Sequence, residues 1–421
     1  MTFSSPLVLG PPNAERHDFP PPHLNDQREA LLWILAAATF LVFFQAYMVA
    51  PLIPRLSAVF GVSIQTMGFA VPAYLIPYGI ATLLYGVLSD YIGRSRILLC
   101  SLGAFILLTA CTATARSAEE LILWRLVTGL GASGVVPLAL ALMGSVFPYE
   151  ERGRPLGWLF GAMAGGAAFG STLGVILEPV IGWRFLFVGI AVVGLLPFLL
   201  LFRHRSLLGE KPAEPQPVGE VLKGYRSLLA TSRGSVTYVF VLWNAVFHSG
   251  VFTWLGVYFQ RRYGLGELGI GLAVLGYGVP GFFLGPLVGR AADRFGRCWL
   301  IPSGLAISVL AAAFLAFGPS FLLAALAVTA LSLGYDMTQP LFAGIVTSLG
   351  GKRGGQAMGL NVFALFTGFG LGSLFFGALL KREGFVSSLT VFAVSQLTFT
   401  LAALWLFRAE RHVALPQPRA S

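Results

Sequence analysis

Charged side chains are the scarcest resource in this sequence. Only 11% of its 421 residues are Asp, Glu, Lys or Arg, against 56% hydrophobic. A soluble domain carries about a quarter charged residues, and a soluble chain of this length would need polar surface for roughly two or three cores. That surface is missing, so the bilayer is the natural solvent. Cysteine is also nearly absent. Cys100, Cys111 and Cys298 have no metal-ligand spacing, and an odd trio is not a disulfide framework. They read as small apolar packing residues. The net charge of +10 does not signal nucleic acid, because the aromatic–basic interleaving that grips single strands is lacking. Glycine motifs follow apolar helices rather than strands, which excludes a phosphate-binding loop. Nothing points to an enzyme or a cofactor, and without a nucleotide-binding domain any transport is secondary.

What is present is apolar sequence in lengths of about 20 residues, enough to cross a bilayer as helix. Twelve such stretches occupy 31–54, 67–88, 97–114, 121–147, 156–177, 185–202, 235–259, 268–288, 300–317, 321–349, 357–380 and 385–407. Residues 1–29, rich in proline and longer-flanked than a signal peptide, read as a disordered cytoplasmic tail, not a cleaved signal. Residues 203–234, with Pro212, Pro215 and Pro217, read as a cytoplasmic linker between two bundles at 30–202 and 235–408, and 409–421 as a second cytoplasmic tail. With both termini inside, 20 Lys and Arg lie on the cytoplasmic side and seven outside, the asymmetry expected of the positive-inside rule. The expected location is therefore the cell (inner) membrane.

The two halves are related. Gly86, Asp90, Gly93 and Arg94 recur at identical spacing as Gly289, Asp293, Gly296 and Arg297, 203 residues later. Arg152, Gly153 and Gly157 are echoed by Gly354, Gly355 and Gly359. Two echoes in order indicate a duplicated six-helix unit, and such repeats place substrate at their interface near the midplane.

These residues carry a resemblance. The stretch Gly86 to Arg96 is similar to the signature loop of the major facilitator superfamily, and its counterpart at Gly289 to Arg297 falls between spans eight and nine as that family requires. The resemblance covers about residues 30 to 408. It implies an all-α membrane protein of twelve transmembrane helices in two pseudo-symmetric bundles that rock about a central cavity, acting as a monomer. Arg125, Gly129, Gly131 and Ala132 on span four resemble a motif of proton-coupled members, including twelve-span drug:proton antiporters, where the arginine is linked to proton movement. Span five departs from that subgroup: Ser171 stands where it often has proline and Val175 where it has glycine, although the glycine ladder Gly161, Gly165 or Gly166, Gly170 and Gly174 remains.

The resemblance makes the two signature loops, with Gly86, Asp90, Gly93, Arg94, Gly289, Asp293, Gly296 and Arg297, a latch that holds one conformation. Their alternative reading is a solvated loop, which leaves the repetition unexplained. Arg125, a few residues into span four, needs a partner that the sequence does not identify; otherwise it snorkels. Asp336 lies about 22 Å into span ten at helical rise. An intramembrane carboxylate marks function by default, here as a group that takes and releases a proton; the plainer reading is a cap for a helix broken near Gly334 and Pro340. His248 and Asn244 share a face of span seven: His248 as a titratable group for proton coupling with Asn244 as a substrate contact, or the two as a hydrogen-bonded core pair. Gln45 on span one and Gln339 beside Asp336 suit a polar floor, and Tyr47 and Trp243 are candidate aromatic walls, though many aromatics here face lipid.

The leading expectation is proton-coupled efflux of a small hydrophobic solute by alternating access between the lipid-embedded bundles. Metabolite uptake or uniport is the rival within transport, and a non-transporting membrane sensor the rival outside it. Asp90→Asn is expected to lower transport while leaving the amount of protein in the membrane unchanged; full transport at normal abundance would remove the latch.

Overall fold

The computed structural model describes residues 22–147, 153–205 and 218–410. Among them the chain is helical throughout: α1 (Pro22–Phe60), α2 (Ile64–Gly68), α3 (Pro72–Ile92), α4 (Arg94–Thr112), α5 (Ala118–Ala132), α6 (Val135–Val146), α7 (Gly153–Arg203), α8 (Val218–Ala230), α9 (Ser232–Thr253), α10 (Leu255–Tyr263), α11 (Glu267–Val274), α12 (Val279–Phe295), α13 (Arg297–Ala316), α14 (Phe321–Gly350) and α15 (Gly354–Leu406). Nine helical segments among the described residues are long and apolar enough to cross a membrane. Two of these are too long for one crossing. The 51 residues of α7 would extend about 76 Å at 1.5 Å per residue, against a hydrocarbon core of about 30 Å. It turns back at Gly182, and α15 does so at Gly384. Together α11 and α12 supply one further, broken crossing. The total is twelve, as the apolar stretches predict.

The repeat is written in the backbone as well as in the motifs. Left-handed glycines at Gly61 and Gly264, Gly93 and Gly296, and Gly182 and Gly384 stand 202 or 203 residues apart, each pair joining equivalent spans. Gly93 has φ 104 and ψ 135, and Gly296 φ 81 and ψ 151. A side chain is strained there, so the two signature loops need glycine at that place for the connection itself.

Span one packs along span five on the glycine ladder. Added Cβ atoms at Gly166 and Gly170 would strike the backbone of Phe40 and Phe44, and one at Gly174 would strike Met48, whereas Gly161 faces open space. Small residues four apart let two backbones meet closely in lipid, where no hydrophobic force drives association.

Two boundaries differ from the sequence reading. Residues 22–29 belong to α1 rather than to a tail, and Glu29 pairs with Arg154 at 2.7 Å, fastening this first turn to span five. The linker at 203–234 contains α8. Its Val221, Gly224 and Leu228 are buried, and Ser227 accepts a hydrogen bond from Arg353 at 2.9 Å. An apolar face spaced for a helix begins where the prolines end, and the ends of spans seven, ten and eleven cover it. Residues 1–21, 206–217 and 411–421 of the tails and linker lie outside the described residues.

Gly170→Leu is expected to prevent assembly of spans one and five, seen as loss of monodisperse protein after extraction. Gly161→Ala should leave the melting temperature within about 2 °C of the parent, as for an exposed change.

Candidate functional site

The described contacts between the two bundles run from mid-membrane to the face opposite the signature loops. Gly256 of α10 lies against Pro51 of α1, Gly370 of α15 against Ile76 of α3, and Gly271 and Gly278 of span eight against Val175, Ile176, Ala164 and Ala168 of span five. At the midplane the seam is aromatic. Tyr78 stacks on Phe366 with centroids 4.0 Å apart, and Phe43 meets Phe366 edge-on at 5.7 Å. Tyr47 lies 5.3 Å from Phe252 and 6.2 Å from Phe369. Phe252 continues to Tyr277 at 4.2 Å, and Phe369 to Tyr335 at 6.0 Å. Span one and span two of the first bundle thus share a box with spans seven, eight, ten and eleven of the second. Tyr47 is half-buried within it.

Asp336 sits at the edge of this box, 9% exposed and next in sequence to Tyr335. Its position follows from the break in span eight. Residues 275–278 leave the helix, Gly278 adopts φ 87, and α12 restarts at Val279. A new helix start exposes amides with no partner in their own helix. The Gly278 amide donates to Ser332 Oγ at 2.7 Å, Ser332 Oγ donates to Asp336 Oδ2 at 2.9 Å, and the Asp336 carboxyl lies against Gly281 of α12. A carboxylate suits the positive end of a helix. Asp336 therefore reaches the break in span eight through Ser332, whereas the plainer sequence reading puts a break in its own helix. Span ten runs unbroken from Phe321 to Gly350.

His248 is fully buried one span away. Its Nε2 lies 3.2 Å from Ser308 Oγ, its ring meets Tyr335 at 5.0 Å, and Nδ1 has no partner. Tyr335 fills the space between His248 and the aromatic box, while the neighbouring Asp336 turns toward span eight. The two titratable groups share no described hydrogen bond. Asn244 donates to Thr338 at 3.0 Å across the seam of spans seven and ten, with its Oδ1 unpartnered, and Gln339 is 6% exposed with Oε1 unpartnered.

Arg125 is fully buried in the first bundle, and the structure supplies its partners. Nε donates to the Ala70 carbonyl at 3.1 Å, Nη1 to Gln45 Oε1 at 2.7 Å and to the Gln45 carbonyl at 3.3 Å, and Nη2 to the Ala46 carbonyl at 3.4 Å. The guanidinium also lies 4.3 Å from the Tyr74 ring centroid. Oxygen dipoles and a ring face disperse the charge, with no carboxylate among these contacts.

Three sequence expectations need correction here. Gln45 belongs with Arg125 rather than to a floor shared with Gln339, because the buried guanidinium takes its side-chain oxygen. Trp243 does not line the box: Nε1 donates to Gln396 at 2.8 Å and the ring stacks on Phe399 at 4.7 Å, which turns it outward to span twelve. Asn244 holds spans seven and ten together. In the signature loops, Arg297 lies 4.0 Å from Glu410 and Gly86 has open space around it, while the side chains of Asp90 and Asp293 and the surroundings of Gly289 lie outside what is described. Sequence reasoning missed Tyr277, Tyr335, Phe252, Phe366 and Phe369. Nothing in the sequence separates them from aromatics that face lipid.

Arg125→Lys keeps the charge but not the fork, since one ammonium cannot reach the Ala70 carbonyl and Gln45 together. Transport should fall at least about tenfold, the effect of roughly 1.4 kcal/mol, and thermal denaturation should show a lower midpoint.

Residues 35–275 and 266–421 match the family model of the Major Facilitator Superfamily. The MFS-type transporter YwfA of Bacillus subtilis (strain 168) is 28% identical over 360 residues, spanning 84% of this chain and 86% of that protein. Multidrug resistance protein 3 of the same organism is 27% identical over 202 residues, 47% of this chain and 39% of that protein. Among solved structures, a D-xylose–proton symporter superposes with a TM-score of 0.73 at 17% identity, covering 90% of this chain and 97% of that one. A bacterial homologue of the human lysosomal transporter Spinster, inward-facing and occupied, gives 0.72 at 16% identity, covering 92% and 99%. At these identities the likeness is one of fold. With the family model matching nearly the whole chain, the protein belongs to the Major Facilitator Superfamily and is a membrane transporter, not an enzyme.

Proposed function

We propose that this transporter couples the outward movement of a small hydrophobic solute to the inward movement of protons across the cell inner membrane. The observation that carries the proposal is the carboxyl of Asp336 at the edge of an aromatic box built from both bundles. The ring faces offer an apolar solute contact area and the carboxyl offers a site for a proton. Because Tyr47 comes from the first bundle and Asp336 from the second, solute and proton meet at the surface that must separate when the bundles rock.

A driver of alternating access must bind the two states unequally. Charged, the carboxylate accepts from Ser332, whose oxygen accepts in turn from the Gly278 amide, which ties span ten to the break in span eight. Neutral, it is a weaker acceptor beside the start of α12. Proton binding therefore loosens a joint that also contacts span five. Arg125 acts as a fixed positive element in the first bundle. The signature loops lie at the cytoplasmic face with both termini and act as the latch, and the protein works as a monomer.

Everted vesicles with an acid interior and a pH-reporting dye test this reading. With a panel of drugs, sugars, nucleosides and amino acids, at least one hydrophobic compound should discharge the gradient in parent vesicles and leave it intact with Asp336→Asn. Discharge that persists in Asp336→Asn moves the proton site elsewhere. Solute flux that proceeds without any proton movement supports uniport.

A further inference from the structure

We propose that Arg55 is the pin of an outer gate, held permanently by Glu178 of its own bundle and releasably by Glu267 of the other. Arg55 lies near the end of α1, on the face opposite the signature loops. Its Nε donates to both oxygens of Glu178, at 3.0 and 3.1 Å, and lies 4.0 Å from Glu267. The two carboxylates differ in burial: the Glu178 side chain is 2% exposed and that of Glu267 36%. A buried carboxylate stripped of its cation is strongly destabilising, so Glu178 keeps Arg55 in every state. An exposed pair at the longer distance is weak and screened by salt, so Glu267 can let go.

Release of Glu267 is inexpensive for a second reason. It is the first residue of α11, where the helix dipole favours a negative charge with or without Arg55. That short helix is a separate rod. Beyond Arg55 it rests on span five through Gly271 against Val175 and Ile176, and its far end is the 275–278 break. A short rod with a pin at one end and a break at the other can swing as a unit. Asp336 and Ser332 hold that same break, which connects the gate to the proposed proton site.

The inference rests on the rocking-bundle reading, but its test reads opening of the seam and needs neither solute nor protons. Failure of the vesicle assay therefore leaves its result standing, and the reverse. In protein carrying Cys100→Ala, Cys111→Ala and Cys298→Ala, Val175→Cys places a thiol under α11, where the parent side chain is 1% exposed. Reaction with a polar maleimide is followed in lipid nanodiscs, where reagent reaches both faces. Glu267→Gln removes the releasable arm, and labelling should rise about threefold, the factor given by losing a weak exposed pair. Glu178→Gln removes the competing negative charge, so Arg55 turns to Glu267 and labelling should fall. Opposite signs from two like substitutions are the signature; a merely structural ion cluster moves both the same way, and that result, or no change in either, overturns the proposal. If Glu178→Gln does not fold, a salt series replaces it: between about 20 and 500 mM NaCl labelling should rise in the Val175→Cys protein and stay flat with Glu267→Gln added. A flat response in both also overturns it.

Discussion

Hydrocarbon offers no hydrogen bonds, so every backbone amide and carbonyl within it must find a partner inside the protein. An unbroken helix meets that demand unaided. A broken one does not, and among the described residues spans two, four, seven and eight are interrupted. In spans two, four and eight a polar side chain from another span serves the gap. The Ala70 carbonyl, between α2 and α3, accepts from Arg125. At the joint of α5 and α6, Ser101 accepts from the Gly134 amide and Thr82 donates to the Ser133 carbonyl. The break in span eight is served by Ser332, whose hydroxyl donates in turn to Asp336. Much of the buried polarity of this protein is the complement of its interrupted backbone.

That arrangement joins structure to transport. A break is where a span can bend, and the group that caps it sets how firmly it is held. Arg125 cannot lose its charge in ordinary conditions, so its break is a fixed joint. A carboxyl can change state, which in the proposed function makes the Asp336 joint adjustable. The duplicated unit has diverged accordingly. At the repeat offset Asp336 of span ten corresponds to Ser133 of span four, and Arg125 corresponds to Val328. Left-handed glycines at equivalent connections preserve the common frame, while the chemistry is shared out, a buried arginine in the first bundle and a buried carboxyl in the second.

The candidate site was legible in its charges and much less so in its walls. Arg125 and Asp336 stand out because a charge inside an apolar stretch needs a reason. Tyr335 and Phe369 do not, since an aromatic at a lipid face and one in a cavity look alike along a sequence. Trp243 shows the hazard: it lies one residue from Asn244 and one turn from Phe247, yet packs on Phe399. Arg55 was legible as one of seven outer basic residues, but its cluster with Glu178 and Glu267 was not, because their meeting depends on three different span ends arriving at one point.

By itself the sequence determined the solvent, the twelve crossings, the duplication and the glycine turns. Each of these is local: hydropathy is read along about 20 residues, and a left-handed connection is read at one. The tertiary structure decided which polar groups meet. The partner of Arg125, the capping of span eight by span ten, the outward turn of Trp243 and the pairing of Arg55 with two carboxylates all depend on the rotation of each helix about its axis. In a chain apolar on every face that rotation leaves little trace in hydropathy, because lipid and protein interior are equally apolar neighbours.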